Sequence, residues 1–355
     1  MANDSLLAGI QGPADLKKLP RHQLAGLATE IRQVICDQVS LTGGHFAPNL
    51  GVVELTIALH YVFDFSQDRL LFDVGHQCYP HKLLTGRQHL FSGLRQRKGM
   101  SGFPEPRESD MDLFSVGHAG TAISTGIGLA RGDELQGQSR RSVVAMVGDA
   151  SIVNGLAMEG LNNAGTLKRQ FLVVLNDNGM SIAKPQGALS SSFDRIRLHP
   201  ALGQLDETAR KVLQRLPGAD TFEELYGRAS EALKALAHHN HFFSQFGLLC
   251  LGPTDGHDIG ALIDVFQEIR QYDRPVLLHC KTIKGKGFEF STGDPTKFHS
   301  PKPFTIRGNS AEVKKGGRSF TTAFADLLIE VMEKDDKVFA VTAAMPDGTG
   351  INKVL

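Results

Sequence analysis

The feature that most constrains this chain is a repeated pairing: a short apolar run, then at once a polar, glycine-rich or histidine-bearing segment. Residues 69–74 (RLLFDV) lead into Gly75-His76, residues 142–147 (SVVAMV) into Gly148-Asp149-Ala150, and residues 171–175 (FLVVL) into Asn176-Asp177-Asn178. Residues 247–251 (GLLCL) precede Gly252 to His257, and residues 275–280 (PVLLHC) precede Lys281 to Gly287. Runs of this length without alternation suit strands buried on both faces of a parallel sheet. Between them, residues 51–64, 151–165, 221–238 and 258–271 carry helical spacing, and Thr221-x-x-Glu224 opens the third with a capping-box pattern. The expected class is therefore α/β, a mostly parallel sheet flanked by helices. Ligands of such sheets bind beyond the carboxyl ends of the strands, so the polar segments are expected to face one crevice.

Composition narrows the partners. With 41 % hydrophobic and 21 % charged residues the chain can bury a core. Lys plus Arg equals Asp plus Glu at 38 each, which gives no overall electrostatic case for nucleic acid or an anionic membrane. Cys36, Cys78, Cys250 and Cys280 lie far apart without a CxxC pair, so neither a disulfide framework nor a structural zinc site is indicated, and a reducing cytoplasm fits. The first cation is Lys17, so the start reads neither as a signal peptide nor as a transit peptide. No apolar run approaches the roughly 18 residues of a membrane span.

Two stretches break the rhythm. Residues 179–205 are rich in Gly, Pro and Ser and read as an excursion near the site, and residues 291–318 read as a linker. A new unit then opens with an amphipathic helix over 319–333, capped by Ser319, and a strand over 337–342. The length of 355 residues corresponds to about 2.4 domains at roughly 150 residues each.

The strongest chemical signal is Asp149 at one strand end and Asn178 at the next. A carboxylate and an amide oxygen are hard donors suited to Mg²⁺, which completes its shell with water and ligand phosphates. The same residue types also fill tight turns after strands. Histidines are the second signal: His45, His76, His81, His118, His257 and His299 all sit beside Gly, Pro or Asp in expected loops. A group titrating near neutrality can shuttle protons or donate to oxyanions, and each one alone also reads as a structural histidine. Lys281-Thr-Ile-Lys284-Gly-Lys286-Gly287 reads either as a phosphate-neutralising turn or as a solvated basic loop. No GxxxxGK[ST] occurs and no GxGxxG follows a strand, and Gly126-Ile-Gly128 reads as helix packing.

With these residues in place, the Gly-Asp and Asn-Asp-Asn segments resemble the thiamine diphosphate signature of the transketolase superfamily. The runs TGGHFAPNLGVVELTIALHYVFD, LLFDVGHQCYPHKLLTGR, ESDMDLFSVGH, LGPTDGHDI and KTIKGKGFEF with Lys297-Phe298-His299 are similar to the 1-deoxy-D-xylulose-5-phosphate synthase family over almost the whole chain. The resemblance implies that Asp149, Asn178 and the Met180 carbonyl ligate Mg²⁺. It places His76, Gly117, His118, Ala119, Gly148, Ala150 and Lys284 at the cofactor, and gives His45 and His299 to substrate binding and proton transfer. The implied reaction is thiamine diphosphate-dependent decarboxylation of pyruvate with two-carbon transfer to glyceraldehyde 3-phosphate, in a homodimer. It feeds isoprenoid, thiamine and pyridoxal synthesis.

The sequence departs from the pattern at Ala150, where the signature has Gly, and at Ala119-Gly120, where small polar residues follow VGH. Gly179 stands where a larger polar residue is common. Family members continue beyond this length with a pyrimidine-binding domain that carries the activating glutamate. The expected organisation is a diphosphate-binding domain over 1–290, a linker over 291–318, and the opening of the pyrimidine-binding domain over 319–355. On this reading the chain is an N-terminal part, inactive alone. The alternatives are the N-terminal subunit of a split transketolase-like enzyme and a non-catalytic cofactor-binding remnant.

Overall fold

The computed structural model describes residues 5–179, 242–314, 316–342 and 345–354. Chain order runs α1 (Leu24–Thr42), α2 (Val53–Val62), β1 (Arg69–Phe72), α3 (Tyr79–Leu84), α4 (Ala122–Leu135), β2 (Val143–Gly148), α5 (Asp149–Ile152), α6 (Gly155–Ala164) and β3 (Phe171–Asp177). It continues with β4 (Leu249–Asp255), α7 (Ile259–Ile269), β5 (Pro275–Lys281), β6 (Phe304–Arg307), β7 (Ser310–Val313) and α8 (Phe320–Lys334). The helical spacing at 221–238 and almost all of the expected excursion at 179–205 lie outside the described residues.

The five apolar runs form one five-stranded sheet in the order β1-β2-β3-β5-β4, with every pairing parallel. Its two faces enter two cores. Leu70, Phe72, Val144, Met146, Leu172 and Val174 join α1, α2 and α7 on one side, while Leu71, Val143, Ala145, Val173 and Leu175 join α4 and α6 on the other. This period of two, apolar on both faces, is why the runs show no alternation in sequence. Gly126 is a packing residue: a Cβ there would lie 3.0 Å from the Phe171 ring. The helical run 151–165 is interrupted before Asn154, whose side chain caps α6 by accepting from the Ala157 amide. Because the strands are parallel, residues 73–77, 148–154, 177–179, 255–258 and 281–287 all leave the same edge of the sheet.

Two expectations are corrected. The stretch 291–318 holds an ordered antiparallel hairpin of β6 and β7. Phe298 and Phe304, 2 % and 3 % exposed, anchor it against Phe46 and Phe290 in the main core. Irregularly spaced aromatics carry no period, so the sequence pattern reads as linker. Residues 337–342 form no strand, and Phe339 and Val341 are 82 % and 90 % exposed. Among the described residues no strand lies beside it, and a lone β segment cannot satisfy its backbone ladder. Helix α8 forms as expected, with Ser319 Oγ accepting from the Thr322 amide.

Candidate functional site

Three of the six loop histidines converge. The His45 ring lies 5.4 Å from that of His76 and 5.9 Å from that of His299, and His76 and His299 are 5.5 Å apart between centroids. Backbone contacts bring them together. The Phe46 amide donates to the His299 carbonyl at 3.2 Å and the Ala47 amide to the Phe298 carbonyl at 2.9 Å, pairing the His45 loop with the His299 loop. Asn49, fully buried, donates from Nδ2 to the carbonyls of His45 and His76 at 2.6 and 2.8 Å and accepts the Tyr79 amide at 2.9 Å. Tyr79 returns the contact, its hydroxyl accepting from the His45 amide at 3.1 Å. Gly75, at φ +87°, makes the turn that presents His76; a Cβ there would strike Val116 and Pro104 at 2.5 and 2.7 Å.

The Nδ1 atoms of His45, His76 and His299 are buried and have no hydrogen-bond partner among the described residues. Burial, reinforced by neighbouring His299 and Arg95, pushes the His45 imidazole down to about 3. Burial and the Lys284 charge push His299 to about 4, and burial together with the neighbouring His45, His299 and Lys284 holds His76 well below its ordinary value. Burial thus takes these three rings below the range in which an exposed histidine titrates. At neutral pH these are neutral rings, able to hold a proton on one nitrogen and accept one on the other.

Lys284 is 7 % exposed, and burial lowers its ammonium against the opposing pull of Asp149. Asp149 stands at the end of β2, where its Oδ2 accepts the Gly179 amide at 3.0 Å and its Oδ1 accepts the Ala150 amide at 2.8 Å. Asn178 follows β3 beside it, partly exposed. The two residues before it are structural: Asn176 accepts from the Thr282 hydroxyl at 2.6 Å, and Asp177 pairs with His279 at 2.8 Å. Met180 lies outside the described residues. Among the described residues no group of three or more His, Cys, Asp and Glu side chains is gathered to hold a metal.

Gly117, His118 and Ala119 form an exposed turn before α4. Asp73, 5 % exposed, fixes it by accepting the Gly120 and Ala122 amides at 2.8 and 3.0 Å, and a Cβ at Gly120 would collide with Asn154. The turn is thereby held between Asp73 at the end of β1 and Asn154 at the start of α6. His118 stays outside the histidine cluster. His81 belongs instead to a buried chain, His60 Nε2 to His81 Nδ1 at 2.9 Å and His81 Nε2 to Asp112 at 2.8 Å, and His257 pairs with Glu54 at 3.0 Å. The four cysteines are free and buried, and burial pushes their thiols up.

Comparison with known proteins decides the ancestry. The profile of the family described as 1-deoxy-D-xylulose-5-phosphate synthase matches residues 7–282. The chain belongs to the 1-deoxy-D-xylulose-5-phosphate synthase family. It is 45 % identical over 350 residues to 1-deoxy-D-xylulose-5-phosphate synthase 1 of Geobacter sulfurreducens, covering 98 % of this chain and 55 % of that protein. It is 44 % identical over 349 residues to the synthase of Symbiobacterium thermophilum, covering 98 % of this chain and 53 % of that one. The chain thus spans about half the length of the curated relatives it matches. Transketolase from Campylobacter jejuni shares the fold at a TM-score of 0.57 and 17 % identity, over 94 % of this chain and 46 % of that one. Transketolase from Leishmania mexicana does so at 0.54 and 18 %, over 79 % and 39 %. For this synthase family member, Asn49 and Asp73 are the buried side chains that order the crevice loops, and neither stood out in the sequence. The one available signal was a polar residue within an otherwise apolar run.

Proposed function

We propose that this chain is the diphosphate-binding half of a 1-deoxy-D-xylulose-5-phosphate synthase, which decarboxylates pyruvate and transfers the two-carbon unit to glyceraldehyde 3-phosphate. The observation that carries the reading is the convergence of three buried imidazoles, whose Nδ1 atoms have no partner among the described residues, beside Lys284 and the ends of β2 and β3. Unsatisfied buried nitrogens call for a polar ligand. Among the described residues there is room for one, since a Cβ added at Gly117, Gly148 or Gly179 would meet none of them within 4 Å.

In this reading Asp149 and Asn178 would hold Mg²⁺, with the carbonyl of Met180, outside the described residues, as the further ligand that the resemblance implies. One protein carboxylate suits an ion that takes its remaining oxygens from a diphosphate and water. Lys284 offsets diphosphate charge from a buried position, and the turns at Gly117–Ala119 and Gly148–Ala150 border the same space. When bound, thiamine diphosphate supplies the carbanion chemistry. His76 would contribute to holding it, while His45 and His299 would bind substrate oxygens and move protons as neutral imidazoles. Residues 319–355 open the pyrimidine-binding domain, a reading supported by the apolar stripe Phe320, Phe324, Leu327 and Val331 that α8 leaves exposed. The assembled enzyme is a cytoplasmic homodimer in which residues outside this chain activate the cofactor.

The test is turnover. The chain supplied with a complementing second half should convert pyruvate and glyceraldehyde 3-phosphate, and Asp149→Ala should abolish this. Equal Mg²⁺-dependent turnover by the variant would contradict the assignment.

A further inference from the structure

His257 sits beside Gly and Asp in a loop, as the clustered histidines do, yet it lies in a separate network behind the Lys284 loop. Its Nε2 accepts the Ile283 amide at 2.8 Å, and its Nδ1 lies 3.0 Å from Glu54 Oε2. An N–H donor at Nε2 requires that nitrogen to be unprotonated, so the proton resides on Nδ1 and is donated to Glu54. Arg32 completes the chain, its Nη2 donating to the same Glu54 oxygen at 2.5 Å and to the Leu50 carbonyl at 3.0 Å. Burial alone would raise the Glu54 carboxyl, but the bonds from His257 and Arg32 hold it down to about 2.

The bonded amide belongs to the residue immediately before Lys284. On the other side the Gly285 amide donates to the Ala47 carbonyl at 2.9 Å, and Thr282 is tied to β3 through Asp177 and Asn176. Gly285 and Gly287, at φ +85° and +97°, give the loop conformational freedom that these bonds remove. Lys284 then extends inward, where its charge acts on Asp149, His76 and His299.

We propose that His257 is a positioning residue that, backed by Glu54 and Arg32, clamps the Ile283 amide and so aims Lys284 at the ligand diphosphate. It touches neither ligand nor metal and works through the backbone. The inference rests on the cofactor reading of the preceding subsection.

The test is a double-mutant cycle on the 355-residue chain, read by calorimetry with thiamine diphosphate and Mg²⁺ and by amide hydrogen exchange at Ile283. His257→Phe keeps the ring volume and removes both bonds. It should weaken binding roughly tenfold, the lower end of what supporting partners of a ligand contribute. The same change in a Lys284→Met background should cost little more. His257→Gln, which retains an acceptor and a donor, should recover part of the loss and remains informative if the Phe variant does not fold. Ile283 exchange should accelerate in His257→Phe. Equal losses in both backgrounds, unchanged affinity in His257→Phe, or unchanged Ile283 exchange would overturn the proposal. A wild-type chain that binds no cofactor would instead sink the functional reading, and the exchange at Ile283 would still decide the clamp.

Discussion

The imidazoles of His45 and His299 meet edge to face, with centroids 5.9 Å apart and planes at 86°. Neither ring has a partner at Nδ1 among the described residues. Burial drives both far below the usual histidine range, to about 3 and about 4.

This burial makes the fold acid-sensitive early. A histidine depressed in the folded state stays neutral there while the unfolded chain takes up a proton, so stability is full above about pH 6.5 and falls as pH drops toward the folded values. Each such histidine contributes a slope of about 1.4 kcal/mol per pH unit. His60, His76 and His81 shift the same way through burial. Thermal denaturation should therefore show a clearly lower midpoint at pH 5.0 than at pH 7.5. Equal midpoints would mean that these rings are solvated.

The His81–Asp112 pair leads to a second expectation. Asp112, 3 % exposed, accepts from His81, from Arg87 at 2.6 and 3.1 Å and from the Glu105 amide at 2.7 Å. Burial works against its charge, and the bonds from His81 and Arg87 hold the carboxyl below its ordinary range. Asp112→Asn leaves the guanidinium of Arg87 and the ammonium of Lys82 buried with one anion fewer. It should cost about 3–5 kcal/mol in denaturant unfolding. A loss under 1 kcal/mol would show that the network is not buried as described.

Gly75 permits a backbone test of the histidine cluster. Gly75→Ala demands a positive φ from an L side chain and drives its methyl into Pro104 and Val116. A destabilisation of about 1–3 kcal/mol is expected, with loss of cofactor binding through the displaced His76. Crystallography of an unperturbed Gly75→Ala variant would contradict the turn.

Helix α8 supports an expectation about solution behaviour. Phe320 is 97 % exposed, and Phe324, Leu327 and Val331 line up with it at helical spacing. The 355-residue chain by itself should associate in a concentration-dependent way and bind apolar dyes, and Phe320→Ser with Leu327→Ser should reduce both. Sedimentation showing a monomer at all concentrations would contradict this.

The sheet was legible because parallel strands buried on both faces must be apolar throughout, and β1 to β5 each stand where such a run occurs. The histidine cluster was legible only through resemblance, because His45, His76, His81, His118, His257 and His299 look alike in glycine-rich loops. What separates them is burial and partner choice. His81 faces Asp112 and His257 faces Glu54, contacts 31 and 203 residues distant in sequence that no local pattern encodes. Asn49 and Asp73 carry no local pattern for the same reason, since their bonds go to backbone groups of other loops. The segment 337–342 has the composition of a strand but no neighbouring strand among the described residues.

The central claim is that the ends of β2 and β3 hold a metal and a diphosphate beside the histidine cluster. Its most direct test is calorimetric titration of thiamine diphosphate into the chain with and without Mg²⁺, for the wild type and for Asp149→Ala. Mg²⁺-dependent binding that weakens at least about tenfold in the variant is the predicted result. Binding that ignores Mg²⁺, or an affinity unchanged by Asp149→Ala, would contradict it.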